Sequence, residues 1–88
     1  MITMQFERFY KGEEIKIISG MLPKGSRATI GLTPSELKAR GIIVDARVYM
    51  ILLSEELTKM GYGHDCGGLV PGKNGWWASE RFMAHIKE

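Results

Sequence analysis

Gly61-Tyr62-Gly63-His64-Asp65-Cys66-Gly67-Gly68-Leu69-Val70-Pro71-Gly72-Lys73-Asn74-Gly75-Trp76-Trp77 is the stretch around which the 88-residue chain is organised. Six of its residues are glycine, and it holds the only cysteine and one of the two histidines. A loop so poor in side chains cannot pack itself, so something must pin it, and the adjacent tryptophans are the expected anchor. Read as a strand, Trp76 and Trp77 send their indoles to opposite faces. One is expected in the core and the other partly exposed. An exposed indole beside a glycine loop is a candidate binding surface, since tryptophan is enriched among the residues that dominate interfaces. The plainer alternative is that the loop, or Met60 and Tyr62, covers it.

Upstream of the loop lies the most apolar segment, residues 42–53, whose β-branched and aromatic content predicts a central strand. Between them, residues 54–61 open on a serine N-cap followed by two acids and stop at glycine. This predicts one short helical turn or an irregular tip. Before the central strand, Thr33-Pro34-Ser35-Glu36 is a capping box with proline at the first helical position, and Gly41 is a stop. That predicts a two-turn helix, too short to stand alone, docked through Leu37 with Ala39 or Ile42. Residues 28–32 read as a short strand and residues 14–19 as another, with Ile15 and Ile17 on one face. Residues 2–10 begin with alternating Ile2, Met4 and Phe6 and predict an opening strand, available as an edge for pairing between chains. After the tryptophans, residues 79–82 predict a short helical turn. Residues 82–86 continue it or form a last edge strand.

Composition narrows the classes. The hydrophobic and charged fractions, 44% and 25%, are those of an ordinary globular chain, and the length suits one domain spanning residues 1–88. A net charge of +2 is small for a dedicated nucleic-acid or membrane-surface protein. A single cysteine allows no internal disulfide, and the expected location is cytoplasmic. No apolar run reaches a membrane span, and residues 1–8 do not read as a secretory signal, so no membrane partner is expected.

Three chemical signals sit in the glycine-rich stretch. His64, Asp65 and Cys66, with distant His85, are too few and wrongly spaced for a zinc site, so no metal or cofactor is expected. A Cys66–His64 nucleophile would need further catalytic groups that the sequence does not supply. The expected role of His64 and Asp65 is to hydrogen-bond the loop's own backbone, Asp65 through an Asx turn. Gly67 to Lys73 approaches a phosphate loop, but Asn74 replaces the required Ser or Thr and no long helix follows. The basic residues Lys24, Arg27, Lys38, Arg40 and Arg47 form the remaining cluster, a candidate for phosphate or an acidic protein surface, or simply a solvated face.

Gly63-His64-Asp65, the glycine loop, Gly75-Trp76-Trp77 and the closing segment resemble small bacterial and phage-encoded proteins with a Src-homology-3-like barrel. Lys11-Gly12-Glu13-Glu14-Ile15-Lys16-Ile17 resembles the turn and first strand of that class, and residues 42–53 its middle hairpin. The resemblance implies a mainly β fold of about five strands; the capped helix at Thr33–Arg40 has no equivalent in that class and is expected to lengthen the loop between the first two barrel strands. It also implies a partner site in the aromatic groove beside the tryptophan strand. The expected function is therefore a non-enzymatic interaction module, an accessory protein of a phage or mobile element that binds and inhibits a host protein. Its expected contacts are Trp76, Trp77, Tyr62, His64, Lys73, Lys38 and Arg40. Residues 27–37 followed by Gly41-Ile42 resemble swapped-hairpin transcription factors of the transition-state-regulator type. That resemblance implies a DNA-binding homodimer using Lys24, Arg27, Lys38, Arg40 and Arg47.

Overall fold

A computed structural model describes residues 7–42 and 45–86. The fold is mainly β, as expected: five antiparallel strands in one sheet, with two short helices rather than one. In chain order these are β1 (Glu14–Ile17), β2 (Arg27–Leu32), α1 (Pro34–Ala39), β3 (Val48–Leu53), α2 (Glu55–Lys59), β4 (Gly75–Ser79), a 3₁₀ turn (Glu80–Phe82) and β5 (Met83–His85). The strands lie in the order β4-β3-β2-β1-β5. Four strands run as a meander, and the 3₁₀ turn carries the fifth back to pair with the first.

One face of the sheet collects Ile15 and Ile17, Ala28 and Ile30, Tyr49, Ile51 and Leu53, Ala78 and Met83 into a single buried cluster, joined by Phe9, Leu22 and Leu57. Ala78 and Met83 belong to opposite edge strands, so the sheet curls around this core. The other face would be bare without α1 and the glycine loop. Leu32, Leu37, Met50, Cys66 and Val70 form a second buried cluster there.

Gly31 makes the second cluster possible. The β2–β3 register shifts between Ile30 and Leu32, so that Ile30 faces Ile51 while Leu32 faces Met50. One extra residue in the strand sends Leu32 through to the outer face, where Leu37 of α1 meets it. A Cβ at Gly31 would lie 2.8 Å from Met50 Cε and 3.1 Å from the Met50 carbonyl oxygen, so the bulge needs the missing side chain.

The capping box at α1 forms as read. Thr33 Oγ1 accepts from the Glu36 N–H at 3.3 Å, and Glu36 Oε1 accepts from the Thr33 N–H at 3.1 Å. Glu7 adds a second acceptor for the free end of the helix, taking the Ser35 N–H at 2.9 Å. The Thr33 N–H, opposed by partial burial, holds the Glu36 carboxyl below its ordinary range. Thr33→Ala is expected to cost about 1 kcal/mol, read as a lower urea midpoint. The Glu36 contribution is present above the usual carboxylate pKa and is lost as the pH falls through the folded value; its main source, the Thr33 backbone N–H, survives in Thr33→Ala, so the acid loss should be seen in both proteins and be absent from Glu36→Gln.

Several expectations need correction. The central strand begins at Val48, not at residue 42, because Asp45 Oδ1 accepts from the Arg47 N–H at 2.9 Å and builds a turn there. The helix is inserted between β2 and β3, since residues 27–32 are a full strand of the sheet. α1 docks through Leu37 and the half-buried Ile42 that follows it, while Ala39 is exposed. Residues 7–10 form no strand: the Phe9 N–H donates to the Tyr49 hydroxyl at 3.3 Å, and the Phe9 ring lies 5.6 Å from the Tyr49 ring, edge to face. The rest of the expected opening strand, residues 2–6, lies outside the described residues. Of the two alternatives for residues 82–86, the edge strand is the one formed, over residues 83–85. Among the described residues no helix is long and apolar enough to cross a membrane.

Candidate functional site

The glycine-rich stretch is less a loop than a short fold of its own. His64 and Gly75 exchange both backbone hydrogen bonds, at 3.0 and 2.9 Å, so the chain between them is tied off at its base. Within it, the Asp65 carbonyl accepts from the N–H groups of Gly68 and Val70. His64 and Asp65 act on the backbone as expected: His64 Nδ1 accepts from the Cys66 N–H at 3.0 Å and Asp65 Oδ1 from the Gly67 N–H at 3.2 Å. Cys66 itself takes a left-handed φ of 50°, a strained conformation for a non-glycine residue. Trp77 packs against the cluster that anchors the loop, and the loop adds anchors of its own. Its own Cys66 and Val70 are buried against the outer face, and both sit on Gly75.

The tryptophans point to opposite faces, and both are half-buried. Trp76 lies opposite Ile51 on the core side. Its ring packs edge to face with Tyr62 at 6.0 Å and tilted against the exposed His64 at 5.6 Å. Trp77 lies opposite Met50 on the outer face. There it walls an open groove of about 520 Å³ together with Arg40, Ile42, Cys66, Gly67 and Leu69. The expected contact residues are thus divided. Trp77 and Arg40 share the groove, whereas Tyr62 and His64 gather around Trp76 on the other side. Lys38 and Lys73 are exposed but do not line the groove.

Sequence reasoning missed Ile42, Leu69 and Gly67 as groove walls. The signal for Leu69 was present: an apolar pair, Leu69-Val70, inside a glycine loop must bury one partner and leave the other at a surface. Val70 takes the buried place.

The basic residues do not make one patch. Arg27 stands at the start of β2 and α1 follows its end, about 17 Å away at the ordinary strand rise. Arg27 pairs with Glu14 at 3.4 Å and Arg47 with Glu80 at 4.0 Å, while Lys24 sits in the β1–β2 connection. Lys38 and Arg40 remain, with no ion pair among the described residues.

The Cys66 thiol is buried, and burial, with Asp65 nearby, pushes it above its ordinary 9.0. A nucleophilic thiol needs the opposite shift. We expect a disulfide reagent to modify native Cys66 on the order of a hundredfold more slowly than urea-unfolded chain, since reaction waits on local opening. Equal rates would show that the loop does not cover it. Among the described residues no group of three or more His, Cys, Asp or Glu side chains is placed to hold a metal ion.

No protein-family model matches the chain, and neither a curated protein nor a solved structure matches it.

Proposed function

We propose that the protein is a non-enzymatic interaction module that binds a protein partner in the groove beside Trp77. The observation that carries this reading is the half-buried indole of Trp77 at the wall of an open groove that Leu69, Ile42 and Arg40 also line. Aromatic and arginine side chains around an apolar floor are the composition of interface centres. The five-strand order, with a 3₁₀ turn before the last strand, agrees with a Src-homology-3-like reading of the chain. Folds of this kind serve many functions, so the groove and not the fold supports the proposal.

The test is capture of partners from lysate by immobilised wild type, Trp77→Ala and Arg40→Glu, each first shown to melt cooperatively. The expected outcome is that Trp77→Ala loses the partner by tenfold or more, about 1.4 kcal/mol or above. A folded Trp77→Ala that retains every partner overturns the reading.

A further inference from the structure

Resting on that reading of the groove, we infer that the partner binds as an extended, acidic segment that adds a strand to the open edge of β4. The hydrogen-bond parity of β4 shows where that edge is. The Leu53 N–H bonds the Asn74 carbonyl at 2.7 Å, and the Glu80 N–H bonds the Arg47 carbonyl at 2.9 Å. Both fit the unbroken β3–β4 register from Val48 and Ser79 to Leu52 and Gly75. In an antiparallel ladder the bonded residues alternate, so Trp76 and Ala78 turn their polar backbone groups toward β3. Gly75, Trp77 and Ser79 turn theirs away.

Gly75 is satisfied by His64, but the pairing stops there. The chain that would continue it turns aside, since the Tyr62 N–H bonds the Leu57 carbonyl at 3.2 Å. Among the described residues no strand pairs with the N–H and C=O groups of Trp77 or with the N–H of Ser79, while the Ser79 carbonyl begins the 3₁₀ turn. Exposed edges are ordinarily guarded by lysine, proline or a bulge, and β4 carries none of these. The β5 edge is only three residues long.

The groove borders this edge, because Trp77 belongs to both. A strand laid along β4 would place one outward side chain against Trp77 and Leu69, and neighbours on the same face near Arg40. Charge selects the occupant. Glu36, the acid on α1, is already engaged by Thr33 and Lys11, leaving Lys38 and Arg40 uncompensated among the described residues. An extended peptide that pairs its backbone and offers carboxylates fits both features.

The experiment uses a blocked ten-residue peptide rich in valine and glutamate, its lysine-for-glutamate counterpart, and two versions N-methylated at alternate residues. Binding is followed by amide shifts of Trp77 and Ser79 in the full chain. The acidic peptide should bind about tenfold more tightly than the lysine peptide, and only one of the two N-methylated sets should lose binding. Ser79→Pro is the protein-side test. Ser79 has φ −74°, close to the proline value, and its N–H is not used in the β3–β4 ladder. The variant should melt like wild type and bind the acidic peptide about fivefold more weakly, the share of one hydrogen bond.

No binding of the acidic peptide, equal loss with both N-methylated sets, or a wild-type-like Ser79→Pro affinity overturns the inference. So does a dimer in solution that Ser79→Pro splits, which gives the edge to a second copy. Loss of the lysate partner in Trp77→Ala alongside an unaffected Ser79→Pro leaves the groove reading standing and removes only strand addition.

Discussion

Tyr49→Ala is expected to leave the chain at the margin of folding, with a loss of about 3–5 kcal/mol. A domain of this size has a total stability of roughly 4–13 kcal/mol. The ring of Tyr49 is fully buried at the centre of the inner cluster, in β3 between β2 and β4. It touches Phe9 edge to face, and its hydroxyl is the acceptor for the Phe9 N–H. Removing it opens a cavity and releases Phe9, which is buried in the same cluster. Tyr49→Phe separates the two effects. It keeps the ring and leaves one buried N–H without its acceptor, for about 1–3 kcal/mol. Urea melts of the three proteins, followed by tryptophan fluorescence, should rank wild type, Tyr49→Phe, Tyr49→Ala. Equal midpoints for wild type and Tyr49→Phe would show that the hydroxyl contributes nothing to holding residues 7–10.

The same hydroxyl has a pH signature. Burial, partly opposed by the Phe9 N–H and reinforced by Glu7 and Glu80, pushes it above its ordinary 10.0. The folded chain therefore holds this proton more tightly than the unfolded chain. Its contribution is complete below about pH 10 and is lost as the pH rises through the folded value. An alkaline fall in stability beginning near pH 10 in wild type should be shallower in Tyr49→Phe.

What could be read in advance was whatever is decided within a few residues. Thr33, Pro34 and Glu36 carry their own hydrogen-bond geometry, so the start of α1 was legible to the residue. The opposite faces of Trp76 and Trp77 follow from strand periodicity alone. The backbone roles of His64 and Asp65 are equally local. The passage of Leu32 to the outer face was not legible. It depends on which residue of β3 stands opposite, and one glycine in a strand does not say whether it bends or bulges. The groove was hidden for the same reason. Arg40, Ile42, Leu69 and Trp77 meet only because α1 and the glycine loop cover the same face of the sheet, and no spacing in the sequence expresses that. The start of the central strand was misplaced because residues 42–44 are as apolar as a strand. Only the Asp45 turn shows where β3 begins.

Gly75→Val is expected to lose about 3 kcal/mol or more, above the usual range for an overpacked site, while Gly72→Ala three residues earlier changes stability by less than about 0.5 kcal/mol. The difference is not one of backbone freedom, since neither glycine has a left-handed φ. A Cβ on Gly75 would lie 2.7 Å from Cys66 Sγ, 2.7 Å from Val70 Cγ2 and 3.1 Å from the His64 carbonyl oxygen. One at Gly72 would meet only the Asn74 side-chain oxygen, at 3.3 Å. Gly75 cannot yield by itself, because its neighbours Asn74 and Trp76 are bonded to β3 on one side and His64 bonds Gly75 on the other. The loop must lift instead, taking Cys66 and Val70 off the outer face and uncovering Met50 and Leu37. Loss of stability in Gly75→Val should therefore come with a Cys66 thiol that reacts at the unfolded rate while β4 and the inner core persist. A destabilised variant with Cys66 still protected would place the strain elsewhere. The groove beside Trp77 is built from this same loop, so Gly75→Val should also lose the partner bound there. Tight packing at one glycine, forty residues from the helix it helps to cover, then sets both the second core and the surface proposed to bind.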